Sequence, residues 1–504
     1  MLRLRLCAGL ILPGLFWACT QPVPIVPPVL EIGHETQVFV DDYVLERTEA
    51  LERRLNPLEK HAANPVLSPQ RPWEGRSTLP ATVLFDDSDR RFKMWYRCRD
   101  ELSSPRRGPD RWAYAVSSDG IAWEKPNLGL TSFAGSRRNN LIPYPVSRVL
   151  LDANETDPGR RFKALGHGRI EAEGLAGLLV GFSPDGLRWT AHSAGPLLSE
   201  TKGDGTYAGI GDTHNIFGWD ERWDRYVAFL RPSRRYRDIG LSHSTDFTDW
   251  RLPNPVLTPD PADPPGTQFY EMAVFRDRGV YWGLLSVYHP DSLMIDVQLA
   301  FSRDGVGWRR AGRRHPILTY GLPDRFDSHQ VRALAPLVVG DEIRVYYAAE
   351  NRPHALTSQD ATLLTHAVEA VPETLAEQGW LRNGTGFGAL ARCRRDGFVS
   401  LDSGSSLGSL LTRPFTFRGD RVLINADATR GEFWVEILDP EGRPLEGFGE
   451  ADAVRIRGNS TRHTAEWKGG RDLSSLNGRA ARLRICATNS KLYSFTCAEA
   501  GSSK

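Results

Sequence analysis

Short apolar runs alternate with polar turns along most of this chain, and one of the turns recurs. It reads Ser117-Ser-Asp119-Gly120-Ile-Ala-Trp123, then Ser183-Pro-Asp185-Gly186-Leu-Arg-Trp189 and Ser302-Arg-Asp304-Gly305-Val-Gly-Trp308, with a variant at Ser244-Thr-Asp246-Phe247-Thr-Asp-Trp250. The tryptophans stand 66, 61 and 58 residues apart, a period that marks stacked or radial repeats. Each copy follows an apolar run (112–116, 178–182, 237–241 and 297–301). Because Gly accepts a positive φ without steric cost, Asp-Gly between apolar runs predicts strand, turn, strand.

A second hairpin precedes each motif. Its copies are Thr82-Val-Leu-Phe-Asp86 into Arg91-Phe-Lys-Met-Trp-Tyr96, Val149-Leu-Leu-Asp152 into Arg161-Phe-Lys-Ala-Leu165, and Asn215-Ile-Phe-Gly-Trp219 into Arg225-Tyr-Val-Ala-Phe229. Met272-Ala-Val-Phe275 into Val280-Tyr-Trp-Gly-Leu284 and Leu337-Val-Val339 into Ile343-Arg-Val-Tyr-Tyr347 complete the set. Five units of four strands follow. The fifth closing turn, Asp396-Gly397, arrives roughly 30 residues late for this period, which predicts an insertion at 353–386 with a short helix over 371–378, where Pro372 starts a run of helix formers.

Asn64-Pro-Val-Leu67 echoes Asn254-Pro-Val-Leu257 and His315-Pro-Ile-Leu318, but it precedes every motif where they follow one. The N-terminal segment is therefore expected to supply the outer edge of the last unit. That closes a ring and leaves no open sheet edge. The expected fold is all-β: a five-bladed β-propeller over 38–398, followed by a C-terminal β-sandwich over 399–498.

With 63 basic against 62 acidic residues in 504, the chain has no electrostatic bias toward nucleic acid or an anionic membrane. Residues 1–19 resemble a lipoprotein-type signal peptide: two arginines, a short apolar segment, and Leu15-Phe-Trp-Ala-Cys19, in which Cys19 is the expected lipidation site. An ordinary secretory signal is the alternative. The Pro-rich stretch at 20–37 reads as a tether, so membrane contact is expected only through the lipid. Cys486 and Cys497 flank an expected hairpin near Asn489-Ser490, out of register for a bridge.

The repeats, the Asn-Pro-Val-Leu strand ends and the Met94-Trp-Tyr96 type second strands resemble the five-bladed propeller glycosidases, the invertase, levansucrase and arabinanase superfamily of the glycoside hydrolase family 32 and 43 kind. That resemblance implies an exported glycoside hydrolase that acts on a carbohydrate substrate with paired carboxylates. A non-catalytic sugar-binding propeller and a glycoside phosphorylase are the alternatives. In a propeller the innermost strands begin around one axial funnel, and glycosidic cleavage needs two carboxyl groups there. The approaches to blades three, four and five carry Asp212, Glu271 and Asp327, the candidate catalytic residues.

By the resemblance, Glu271 would be the general acid, Asp212 the base or nucleophile, and Asp327 a residue orienting the sugar. The acid and base roles are exchangeable. The family's Asn-Asp-Pro context in blade one is absent here, so the trio would be rotated around the ring. An Asp before Thr or Ser is equally compatible with a turn or cap. Arg76, Tyr144, Arg148, His214, Tyr270, His329 and Arg332 are candidate substrate-binding residues. Asp-x-His on adjacent blades is compatible with a metal, but the spacing is unspecific, and neither a metal nor another cofactor is expected. Sequence leaves the oligomeric state open.

Overall fold

The computed structural model describes residues 29–99, 110–170, 175–193, 196–199, 213–232, 237–354 and 385–499. The expected signal peptide, Cys19, Asp212 and the helix at 371–378 lie outside them.

Five antiparallel sheets radiate from one axis. Blade one is built from Ser77–Asp86, Arg91–Arg99, Arg111–Ser117 and Leu141–Ile142. Blade two runs Arg148–Leu151, Phe162–Ile170 and Leu175–Ser183, and blade three runs His214–Asp220, Arg225–Leu230, Ile239–Ser244 and Asn254–Leu257. Gln268–Asp277, Val280–His289 and Met294–Ser302 form blade four, edged by Pro316–Leu318. Blade five has Gln330–Ala333, Glu342–Glu350 and Gly386–Arg394. Its outer edge comes from the other end of the chain: Lys60 pairs with Ala391, Glu59 with Arg392, and Leu67 with Gly388. The N-terminal echo thus closes the ring, and the propeller is five-bladed.

The recurring turn holds itself together locally and then stitches the seams between blades. In the first copy the Asp119 carboxylate accepts from the amides of Ile121 and Ala122, and Gly120 N–H donates to Ser117 Oγ. In the first two copies the glycine carbonyl then takes a donor from the blade before. Tyr346 of blade five donates to Gly120 O at 2.7 Å, and Trp95 of blade one donates to Gly186 O at 2.7 Å. Gly186 has φ 76°, and a Cβ there would stand 2.7 Å from the Trp95 ring, so both backbone and packing require glycine.

A second stitch is made by the Asp at the end of the inner strand in blades one, two and three. Arg161 of blade two donates to Asp86 at 2.7 Å, Tyr226 of blade three to Asp152 at 2.6 Å, and Tyr281 of blade four to Asp220 at 2.7 Å. Fully buried Lys163 joins Asp152 at 3.1 Å and Glu155 at 2.5 Å. Burial acts to raise the Asp86 carboxyl, but Lys93, Ser88 and Arg161 together hold it well below the usual range. Glu155 is drawn down to about 2, first by Lys163.

Acid lability follows. A carboxyl whose folded pKa is depressed contributes stability that is complete above its unfolded value and fades as pH falls toward the folded one. For Glu155 that window runs from 4.5 down to about 2. The thermal midpoint should therefore drop steeply across it, and a Glu155→Gln variant should have a lower midpoint at pH 7 and a flatter acid limb. An unchanged acid limb in that variant would remove Glu155 from the account.

The C-terminal unit departs from the expected sandwich in its membership. Residue 37, expected in the tether, and residues 38–55, expected in the propeller, pair here instead: Gln37–Val38 with Lys491–Ala498, Leu45–Glu49 with Gly408–Thr412, and Leu51–Leu55 with Val399–Ser403. Leu45–Glu49 and Leu51–Leu55 lie at opposite ends of the ladder, yet only Ala50 separates them, so the sheet returns on itself. The physical reason is edge protection: one N-terminal arm covers both unpaired edges. The long strand Arg421–Leu438 pairs along its first part with Lys491–Ala498 and along its second with Ala480–Thr488, around a core that includes Phe39, Phe415, Phe433 and Phe495. Cys486 and Cys497 are buried free thiols on those two strands, which pair with Arg421–Leu438 and not with each other as the expected hairpin required.

Candidate functional site

The inner strands of all five blades begin around a cavity of about 120 Å³ lined by Arg97, Arg148, Thr213, Tyr270, Glu271 and Arg332, with Trp112 at its side. Its shape depends on bulges. On blade four the register slips between Phe269 and Glu271, and on blade one between Pro80 and Thr82. An extra residue on one strand re-aims its neighbours. Phe269 is fully buried, while Tyr270 and Glu271 both reach the cavity lining.

Glu271 is 8% exposed and held by charge from two blades. Arg148 donates to its Oε2 at 2.8 Å, and Arg332 Nε stands 4.0 Å from Oε1. Arg148 also donates to Asn215 Oδ1 at 2.7 Å and to Ser147 O at 2.8 Å, so its fork is held from blades two, three and four at once. Behind this pair Arg332 donates to Glu350 at 2.7 Å, and Arg352 stands 3.3 Å from the same carboxylate. Burial opposes the charge on Glu350, but Arg332, Arg352 and Arg97 reverse it and keep the carboxyl well below its usual range. Burial likewise works against Arg332, and Glu350 with Glu271 outweighs it, so this guanidinium is more firmly protonated than usual. For Arg148 burial prevails, with Arg332 acting in the same sense, and its pKa lies below the usual arginine value.

Tyr270 forms an aromatic wall ringed by cations. The guanidinium carbons of Arg231, Arg237 and Arg332 lie 4.9, 5.2 and 5.5 Å from its ring centroid, and His354 meets its edge at 4.9 Å. Burial and the neighbouring Arg237 and Arg332 push His354 down to about 3, so it is neutral at ordinary pH. Beyond Trp112 lies a wider groove between blades one and two, lined by Trp112, Phe133, Tyr144 and His167. Tyr144 stacks on Trp189 at 6.0 Å, and its buried hydroxyl has no hydrogen-bond partner.

The structure therefore brings Glu271, Arg148, Tyr270 and Arg332 together and places Tyr144 in the adjoining groove. Asp212 and the side chain of His214 lie outside the described residues; Thr213, between them in sequence, lines the cavity. Asp327 is not in this cluster. Its carboxylate is 3% exposed and taken by Lys60 at 2.6 Å and Tyr347 Oη at 3.2 Å, which fastens the N-terminal closing strand to blade five. His329 turns to Ser328 Oγ at 2.8 Å, and Arg76, whose Nε is buried without a partner, does not line the cavity.

Arg97, Trp112, Glu350 and His354 were missed from sequence. A signal existed: second strands run antiparallel to inner strands, so the end of each second strand faces the same mouth. Leu79 pairs with Arg97 and Gln330 with Glu350. Among the described residues no three His, Cys, Asp or Glu side chains converge to hold a metal ion.

No family model matches this chain, and no curated protein matches it in sequence. Solved structures do. A glycosyl hydrolase from Bacteroides ovatus is 16% identical and covers 59% of this chain and 92% of its own, at a TM-score of 0.43. A structure from work on the GH130 family of mannoside phosphorylases, which contains glycoside hydrolases that target β-1,2 mannosidic linkages in Candida mannan, is 15% identical, covers 67% of this chain and 94% of its own, and scores 0.43. A thermostable family-43 glycoside hydrolase is 16% identical, covers 65% and 94%, and scores 0.42. At such identities function has to be read from this chain's own residues.

Proposed function

We propose that this protein is an exported enzyme that cleaves glycosidic bonds in the propeller funnel, with Glu271 as the proton-transferring carboxylate. The observation that supports it most is a nearly buried carboxylate at the axial mouth, pinned by Arg148 and Arg332 beside the Tyr270 ring. A charge kept in such a place is costly unless paired, and a pinned carboxylate is oriented for proton transfer. Asp212, one residue before the cavity-lining Thr213, is the proposed partner carboxylate. Trp112 and Tyr144 offer rings on which the C–H faces of further sugar units pack.

The deciding experiment is to incubate the purified protein with a panel of chromogenic glycosides and polysaccharides, with and without phosphate, and to identify the products. Release of free sugar independent of phosphate supports hydrolysis. Binding without turnover of any substrate sinks the enzymatic reading.

Export and lipidation at Cys19 are part of the same proposal, supported by the signal-like first residues. Cells expressing the full chain should incorporate labelled fatty acid into it, and Cys19→Ala should abolish the label. An equally labelled variant would rule this anchor out.

A further inference from the structure

Among the described residues the charges lining the funnel do not balance. Its lining holds three guanidiniums, Arg97, Arg148 and Arg332, and among the described residues one carboxylate, Glu271. Arg148 is matched to Glu271 at 2.8 Å and Arg332 to Glu350 at 2.7 Å. Arg97 is left over. Its nearest carboxylate among them is Asp110 at 3.7 Å, which Arg99 also holds at 2.6 Å.

Arg97 is not a solvated surface arginine. It sits on the second strand of blade one opposite Leu79, its side chain is 28% exposed, and it reaches the lining beside Arg148, Glu271 and Arg332. Like charges gathered in a concave, poorly hydrated site repel one another and raise the local potential, which draws in a counter-anion. A guanidinium fork matches two oxygens of a carboxylate or phosphate group.

We propose that this funnel recognises an oxyanion through Arg97, so that the ligand beside Glu271 carries, or arrives with, a negative group. This rests on the funnel being the glycoside site and adds the charge of what enters it. Two sources share this chemistry: the carboxylate of a uronic acid unit in the substrate, and free inorganic phosphate as co-substrate. In the second case a phosphate oxygen attacks the anomeric carbon, the glycosidic C–O bond breaks, and a proton reaches the leaving oxygen, giving a sugar 1-phosphate with no change of oxidation state.

The test measures binding, apart from turnover. Galacturonate, glucuronate and inorganic phosphate are titrated into the purified protein by calorimetry at constant ionic strength, with galactose and glucose as neutral counterparts. At least one oxyanion should bind tenfold or more tightly than the neutral sugars, and Arg97→Gln should remove that preference. Arg97→Lys, which keeps the charge without the fork, should retain part of it and guards against loss through misfolding. A uronate preference assigns the anion to the substrate, and a phosphate preference assigns it to the co-substrate. Equal binding of acids and neutral sugars, no binding of any probe, or a preference that survives Arg97→Gln overturns the proposal. Oxyanion binding with a fully active Glu271→Gln variant would sink the assigned acid while leaving the anion site standing.

Discussion

Replacing Glu271 with Gln is expected to lower turnover at least hundredfold, the lower end of what a positioned proton-transfer group contributes. The change preserves shape and removes only the titrating oxygen. Arg148 keeps two other acceptors, Asn215 Oδ1 at 2.7 Å and Ser147 O at 2.8 Å, and the amide oxygen of Gln can still accept from it. The funnel should therefore hold its shape, and the loss should fall on kcat with little change in KM. Steady-state kinetics on whichever glycoside the panel identifies decides this. Undiminished turnover would mean that Glu271 only balances Arg148 and that the chemistry sits elsewhere.

The second large effect concerns the closure of the ring. Lys60→Met should destabilise the protein by about 3–5 kcal/mol, the cost of leaving a buried charge without its partner. Asp327, 3% exposed, keeps only the Tyr347 hydroxyl at 3.2 Å once the Lys60 ammonium at 2.6 Å is gone. A Lys60→Met/Asp327→Asn double variant should recover much of the loss, because no carboxylate is then stranded. Urea unfolding of the three proteins measures this. The same variants test the role of Asp327: a clasp lowers stability while the folded fraction keeps its kcat, whereas a residue orienting the sugar would lower kcat in Asp327→Asn even under conditions where folding is complete.

Asp327 shows why local sequence misleads about sites in a ring. It stands just before an inner strand, Gln330–Ala333, while Glu271 stands near the start of one, Gln268–Asp277, and the sequence marks both as approaches to the funnel. What separates them is the partner: Lys60 for Asp327, 267 residues upstream, and Arg148 for Glu271, 123 residues upstream. Neither separation has a trace in periodicity. The bulge that turns Tyr270 and Glu271 toward the cavity is equally silent, since it is a count of residues against a partner strand. Residues 38–55 escaped for a related reason. Their strands pair with edges that exist only after the C-terminal unit has formed.

Sequence alone sufficed for the five hairpin-and-turn units, the Asp-Gly turns and the N-terminal closure of blade five, because turn chemistry and strand periodicity are local and are written in neighbouring residues. It also sufficed to bring Glu271, Arg148, Tyr270 and Arg332 under consideration. Tertiary structure decided which of the charged residues share a cavity, that Arg97 belongs with them and Glu350 pairs with Arg332 behind them, and that Asp327 is paired with Lys60 away from the cavity lining. Those outcomes depend on how five sheets converge on an axis, and charges brought together from distant parts of the chain interact according to their distance in space and their burial, whatever their separation in sequence.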